Sequence, residues 1–228
     1  MRFLSELILH IETATKICSV ALSDGGKCLD VIEKYPSEYV HGEYLTLFIE
    51  DLMLNCRKSL NDLDAISVSI GPGSYTGLRI GLSVAKGLCF GLEIPLITVG
   101  TLDSLLSIAK YKYPNSVLCA CIDARRLEVY SKILSSNRSC LSDAKATVID
   151  ENTFADFDPF VYFGDGALKL KSLWANRNLT FDSELKLSAS GQVEEAIHKY
   201  RNKVFSDLAY IKPIYLKEFK AGELSRFT

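Results

Sequence analysis

Histidine is scarce in this chain, with three residues in 228, at positions 10, 41 and 198, and no two spaced to share a metal. A metal centre built on a histidine pair is thereby excluded. The seven cysteines, an odd number at 18, 28, 56, 89, 119, 121 and 140, sit mostly in apolar runs, where a thiol behaves as a small hydrophobe. They form no disulfide framework and point to a reducing compartment. Cys119 and Cys121 share one face of a strand, but no further Cys or His pair completes a ligand set, so buried packing accounts for them. Neither sign of charge is in excess: 26 Lys and Arg against 28 Asp and Glu leave a net charge of −2. A broad basic surface that grips nucleic acid unaided is excluded, and any RNA substrate would be held mainly by a partner. No apolar run reaches the roughly 18 residues of a membrane span. The N-terminus also lacks a basic region, a long apolar core and a small-residue cleavage site, so the expectation is a cytoplasmic protein with no membrane partner. No repeat or low-complexity tract is apparent. At 48% hydrophobic and 24% charged residues the composition is that of a globular protein, and the length suits two modest lobes.

What the chain does have is a glycine loop. Ser69-Ile70-Gly71-Pro72-Gly73-Ser74-Tyr75-Thr76-Gly77-Leu78-Arg79 lies between an alternating, β-branched run at 65–70 and an apolar run with small residues at 78–92. A loop that ends a strand and opens a helix points backbone N–H groups at one spot, where the helix dipole favours an anion such as nucleotide phosphate. The spacing is not a Walker loop, because Leu78 follows Gly77 and the next lysine is Lys86. Nor is it the dinucleotide fingerprint, because three residues separate Gly73 from Gly77. A tight turn capped by Ser74 or Thr76, with glycines at positive φ, would use the same residues.

Around the loop, runs at 7–12, 17–23 and 28–33 read as an antiparallel meander. After them come a helix at 41–58, a strand at 65–70, the loop, a helix at 78–92 and a strand at 95–99. The order βββαβαβ is that of a ribonuclease-H-like sheet. Beyond it the pattern predicts a helix capped by Thr101 and ending near 113, then strands at 117–123 and 127–134 joined through Ala124-Arg125-Arg126. An exposed Ser-rich loop at 135–142, a strand at 160–164, a helix at 167–174, a long helix at 190–210 and a strand-like piece at 213–217 complete the chain. The expected division is a lobe at 1–100, completed by 211–228, and a second lobe at 101–210.

These residues carry a resemblance. The run from Ser69 to Gly81, continuing through Ala85-Lys86-Gly87-Leu88, resembles the signature of the bacterial TsaB proteins, also called YeaZ. The opening at 8–22, with Glu12, its threonines and Cys18-Ser19-Val20-Ala21-Leu22, is similar to the same family's first hairpin. So are His41 at a helix start and the terminal Pro213-Ile214-Tyr215-Leu216-Lys217. The likeness is dense over 7–107 and thin over 135–205. It implies an α/β protein of two ribonuclease-H-like lobes, the actin-like ATPase fold, with no metal site of its own. It implies a role as the non-catalytic subunit that dimerises with TsaD. With TsaE, that pair installs threonylcarbamoyl on N6 of the adenosine next to the anticodon, in tRNAs reading codons that begin with A. In this scheme TsaD holds the metal and transfers the group, and this chain meets tRNA through the complex.

Two departures bear on catalysis. A TsaD-type metal site uses two histidines four apart on a helix, and none are so placed here. The phosphate turn of active actin-like ATPases sets glycine soon after a strand-ending Asp, whereas Glu12 is followed by Thr13, Ala14 and Thr15. The resemblance therefore implies no required cofactor and no catalytic residue. It leaves room for a weak ATP or ADP contact in the cleft or at the partner seam. The phosphate candidates are Glu12, Thr13, Thr15, Gly71, Gly73, Ser74, Tyr75, Thr76, Gly77 and Arg79.

The helices argue for a partner independently. In the first, Leu45, Phe48, Ile49, Leu52, Met53 and Cys56 form one apolar arc suited to a sheet, while Tyr44, Leu47 and Leu54 fall outside it. In the second, Arg79, Ser83 and Lys86 make a narrow polar stripe that Phe90 extends, and Gly81, Gly87 and Gly91 would admit a neighbouring helix. Helices apolar nearly all round are buried on more than one side. Either the second lobe covers them or a partner does, and the resemblance favours a TsaD-like subunit, or a second copy in its absence. His41, Tyr44, Leu47, Leu54, Ser83, Lys86 and Phe90 are the expected seam. Arg79 could pair with phosphate, a partner carboxylate or a surface acid, while a lone histidine near a helix start, such as His41, is more often structural. Asp123, Arg125 and Arg126 suit a turn, and the basic residues at 199–203 suit a solvated helix face, with tRNA contact as the lesser alternative. The rival classes are an actin-like ATPase or kinase active alone, disfavoured by the turn after Glu12, and a metalloprotease, disfavoured by the missing histidine pair.

Overall fold

The structure, a computed structural model, describes residues 6–35 and 41–217, without the side chain of His41. The elements are β1 (Ile8–Glu12), β2 (Cys18–Asp24), β3 (Lys27–Lys34), α1 (His41–Asn55), β4 (Ala65–Gly71), α2 (Tyr75–Leu92) and β5 (Leu96–Gly100). They continue with α3 (Thr101–Lys112), β6 (Val117–Asp123), β7 (Glu128–Leu134), β8 (Cys140–Val148), β9 (Phe160–Phe163), β10 (Thr180–Asp182) and α4 (Val193–Arg201).

Two five-stranded sheets share one topology. The first runs β3-β2-β1-β4-β5 and the second β8-β7-β6-β9-β10. In each, the meander pairs antiparallel and the remaining two strands add in parallel. This is the ribonuclease-H-like order, present twice. β1 and β4 are buried at every position, as expected of parallel-paired strands covered on both faces. One face carries α1 and α2, whose Leu45, Ile49, Leu52, Leu82, Ala85 and Cys89 pack with Leu9, Ile11, Ile66 and Val68. The other carries α4, whose Ala196 and Ile197 meet Ile8, Ala65, Ile97 and Val99. α3 lies on the second sheet, with Leu102, Leu105 and Leu106 against Leu118, Ala120 and Phe163. The opposite face of that sheet packs Cys119 and Cys121 with Phe160, Tyr162 and Trp174.

Several expectations change. Residues 140–142 of the expected loop belong, with 143–148, to the edge strand β8, because their polar alternation is that of a strand exposed on one side. The expected helix at 167–174 shrinks to the short 3-10 turn Leu168–Leu170. The helix expected at 190–210 is a 3-10 turn, Ala189–Gln192, followed by α4, and the left-handed Lys203 lies just past its end. Because α4 rests on the first sheet, and Ser206 then bridges Leu96, the chain returns to the first lobe well before residue 211. Residues 213–217 form no strand, although the Ile214 N–H donates to the Ile70 carbonyl at 2.7 Å. Residues 218–228 of that expected segment lie outside the described residues. Thr101 begins α3 instead of capping it, with Gly100 at the cap position. Among the described residues no helix is long and apolar enough to cross a membrane.

Candidate functional site

β1 delivers Glu12 to the point where the hairpin turn meets the glycine loop. The side chain is wholly buried. One carboxylate oxygen accepts the Ala14 N–H at 2.9 Å; the other accepts the Ser69 hydroxyl and lies 3.5 Å from Gln192 Nε2. Gln192, also fully buried, donates to the Ile11 carbonyl at 2.8 Å and to Ser69 Oγ at 3.1 Å, while Ser67 Oγ donates to its side-chain oxygen at 2.7 Å. Burial pushes the Glu12 carboxyl up to about 7, against the hydrogen bonds from Ser69, Ala14, Gln192 and Thr13 that lower it. The Ala14 N–H at this turn is thus engaged by the chain's own carboxylate.

The structure brings the two candidate phosphate segments together and locks them. Ser74 N–H donates to the Ala14 carbonyl at 2.6 Å, and Thr13 Oγ1 donates to the Gly77 carbonyl at 2.8 Å. A Cβ at Gly73 would collide with the Ala14 carbonyl, and one at Gly81 with the Thr13 hydroxyl. Gly71 alone among the loop glycines is left-handed, at φ 120, and its Cβ would strike the Ile214 carbonyl. The expectation of positive φ at the other loop glycines is corrected: close backbone approach and helix packing select Gly73 and Gly81. Ser74, not Thr76, is the α2 cap, its Oγ accepting the Gly77 N–H at 3.2 Å. Thr13 and Thr15 are buried. Arg79 Nε donates to Tyr215 OH at 3.1 Å, and its guanidinium lies 3.8 Å from the centre of the Tyr75 ring, so it ties the C-terminal segment to α2. The sequence reading missed Ser67, Ser69 and Gln192. The two serines in an apolar strand were the available signal, but nothing local marks Gln192, 180 residues from Glu12.

The expected seam residues divide. Phe90, Leu54 and Leu47 are 81%, 73% and 52% exposed, with Ser83 also exposed beside Gly87 and Gly91, where nothing lies within 4 Å of an added Cβ. Tyr44 is only half-buried: it packs on the first core, 5.7 Å from Phe48, under the Lys34 ammonium. Lys86 is half-buried in a groove with Arg79, Ser83, Lys212 and Tyr215. His41 opens α1, and its side chain lies outside the described residues.

Two ribonuclease-H-like lobes joined in this way define the actin-like ATPase fold. The solved structure of YeaZ from Pseudomonas aeruginosa superposes with a TM-score of 0.79 at 25% identity, over 92% of this chain and all of that one. The model of the family described as TsaD, tRNA N6-adenosine threonylcarbamoyltransferase, matches residues 37–227. Among relatives, the tRNA threonylcarbamoyladenosine biosynthesis protein TsaB of Haemophilus influenzae is 27% identical over 92% of this chain and 93% of its own length. The Escherichia coli protein of that name is 41% identical over 54% of this chain and 52% of its own length. The chain belongs to the TsaB (YeaZ) branch of this family.

Proposed function

We propose that this chain is the non-catalytic dimerisation subunit of a tRNA threonylcarbamoyltransferase. It pairs with a TsaD-like catalytic partner and, with a TsaE-like ATPase, serves the modification of the adenosine next to the anticodon in tRNAs reading codons that begin with A, in the cytoplasm. The observation that carries this reading is the outer face of α1 and α2, where Leu47, Leu54 and Phe90 stand exposed beside open glycines. Apolar side chains on a helix face that the fold leaves uncovered suit a protein seam. The closed turn at Glu12 favours an accessory role over ATP turnover by the chain itself. Without the partner, the same face suits a second copy.

The test is Leu47→Glu combined with Phe90→Glu. Both side chains are solvent-exposed in the single chain, so the variant should fold with an unchanged circular dichroism spectrum. Charged anchors at a seam typically cost more than about 2 kcal/mol of binding, so association with the partner and tRNA modification should fall together. A folded variant that binds the partner at wild-type affinity in calorimetry would show the seam to be elsewhere.

A further inference from the structure

At the tip of the β6–β7 hairpin, Arg125 and Arg126 are consecutive left-handed residues, with φ of 64 and 52. Four of the other five left-handed non-glycine residues have visible reasons; the fifth, Phe154, precedes a 3-10 turn. Arg57, Glu93 and Lys203 come after the ends of helices, where a single left-handed residue is common. Arg138 turns its guanidinium onto the carbonyls of Lys110, Tyr113, Pro114 and Ser116, closing the end of α3. A hairpin tip with two left-handed residues is the place for Asn-Gly or Gly-Gly, and two arginines are a poor backbone choice there.

The side chains do not explain the choice within the fold. Both arginines are exposed, and among the described residues neither guanidinium makes a hydrogen bond or ion pair. The turn beneath them is nonetheless fixed. Arg125 N–H donates to Asp123 Oδ1 at 3.1 Å, and Ala124 N–H donates to the Glu128 carbonyl at 3.2 Å. Lys169 Nζ donates to the carbonyls of Arg126 and Glu128 at 2.9 and 2.5 Å while pairing with Asp123. The neighbouring lysines have carboxylate partners, Lys169 with Asp123 and Lys217 with Glu128. A hydrogen-bonded tip therefore presents two adjacent cations that no described residue pairs with a counter-charge.

We propose that Arg125 and Arg126 form a preorganised clamp for RNA backbone phosphate, giving this chain its own contact with the tRNA; the proposal rests on the functional reading above. A guanidinium fork matches phosphate oxygens two at a time. A protruding two-residue tip offers a point of fixed charge and little area, which suits phosphodiester contacts that position a nucleic acid without reading its sequence. In a chain of net charge −2 the contact is local, about two phosphates, and adds to whatever the catalytic partner holds.

The experiment measures binding of a labelled tRNA to the complex of this chain with its catalytic partner, by fluorescence anisotropy across a salt series. Arg125→Asn with Arg126→Gly relaxes the tip and removes both charges. The Tm of the chain should rise by about 2–4 °C, tRNA affinity should fall about tenfold, and the slope of log K against log salt should shrink by about 1.5. Arg125→Gln with Arg126→Gln removes the charges only, and should reproduce the loss of binding without the gain in Tm. Wild-type affinity and salt slope in either variant would overturn the clamp, as would a loss of partner association with tRNA binding intact, which would assign the tip to a protein. The wild-type complex is assayed for modification alongside. No modified nucleoside there counts against the functional reading, whereas modification with unchanged variant binding counts against the clamp alone.

Discussion

The two lobes carry the same turn in different service. β4 runs into Gly71-Pro72-Gly73-Ser74, and β9 runs into Gly164-Asp165-Gly166-Ala167. In each the first glycine is left-handed, at φ 120 and 98. In each the second is pressed on backbone near the end of the lobe's first strand, Ala14 in one case and Ile122 with Asp123 in the other. Ser74 N–H donates to the Ala14 carbonyl, and Gly166 N–H donates to the Cys121 carbonyl at 3.1 Å. Past the turn the lobes diverge, into 18 residues of α2 in the first and only a three-residue 3-10 turn in the second. The glycines thus answer first to the approach of two strands, which the duplicated topology imposes twice. The long helix is an addition of the first lobe, and its outer face is the surface proposed for a partner.

If backbone approach sets both turns, Gly73→Val and Gly166→Val should be comparably severe. Each added side chain meets backbone, which cannot move aside, so each should cost about 4 kcal/mol or more and leave little folded protein. Urea unfolding, or the soluble yield if the variants do not fold, checks this. A Gly73→Val variant of wild-type stability that lost only partner or nucleotide binding would break the comparison and restore a ligand role to the loop.

Much of the first lobe was legible because its signals are local. The βββαβαβ order came from alternation and glycine punctuation, and the apolar excess of α1 and α2 came from helical periodicity. The second lobe was harder, since β8 reads as a polar Ser-rich stretch and the helix expected at 167–174 is only a short turn beside Trp174. The topological repeat was implied by the family resemblance and was not legible in the residue pattern, because the lobes share strand order but not helices. At the site, Glu12 and the glycines could be singled out, but the lock between Ala14 and Ser74 and the reach of Gln192 into β1 and β4 depend on contacts distant in sequence. Tyr44 misled the helical wheel because Lys34 and the edge of the core half-cover it.

The strand ends sharpen the comparison further. Glu12 is buried, while Asp123, at the end of the matching strand, is exposed. The folded Glu12 carboxyl titrates at about 7 against an ordinary 4.5. Its contribution to stability is therefore fully present below pH 4.5, declines as pH rises, and is gone above about 7. At about 1.4 kcal/mol per pH unit, the loss by pH 8 is about 3 kcal/mol. His10 acts in the opposite sense: burial lowers it to about 3 from 6.5, so its contribution is present above pH 6.5 and lost as pH falls. The two slopes offset one another between pH 4.5 and 6.5, which makes the difference between wild type and Glu12→Gln the informative quantity. The amide keeps the neutral form, so the variant should gain on wild type by about 3 kcal/mol between pH 4.5 and 8 in chemical denaturation. A constant difference across that range would mean that Glu12 is charged in the folded protein.

The smallest effect separates fold from partner within the first lobe. Gly87 and Gly91 lie on α2, exposed, with no atom within 4 Å of an added Cβ. For the chain alone they are a cost, since glycine inside a helix is about 1 kcal/mol less favourable than alanine. Gly87→Ala should therefore raise stability by about 1 kcal/mol, and Gly91→Ala by less because it lies one residue from the helix end. If another helix packs on this face, each added methyl holds it off, and partner affinity should fall while monomer stability rises. Gly81 gives the contrast, because an added Cβ there collides with the Thr13 hydroxyl inside the fold, so Gly81→Ala should lose stability instead. Denaturation curves and calorimetric titration of the partner on all three variants decide the matter. A gain in stability at Gly87 with partner affinity unchanged would mean that no helix approaches closely there, and would move the seam toward Leu47 and Leu54 on α1.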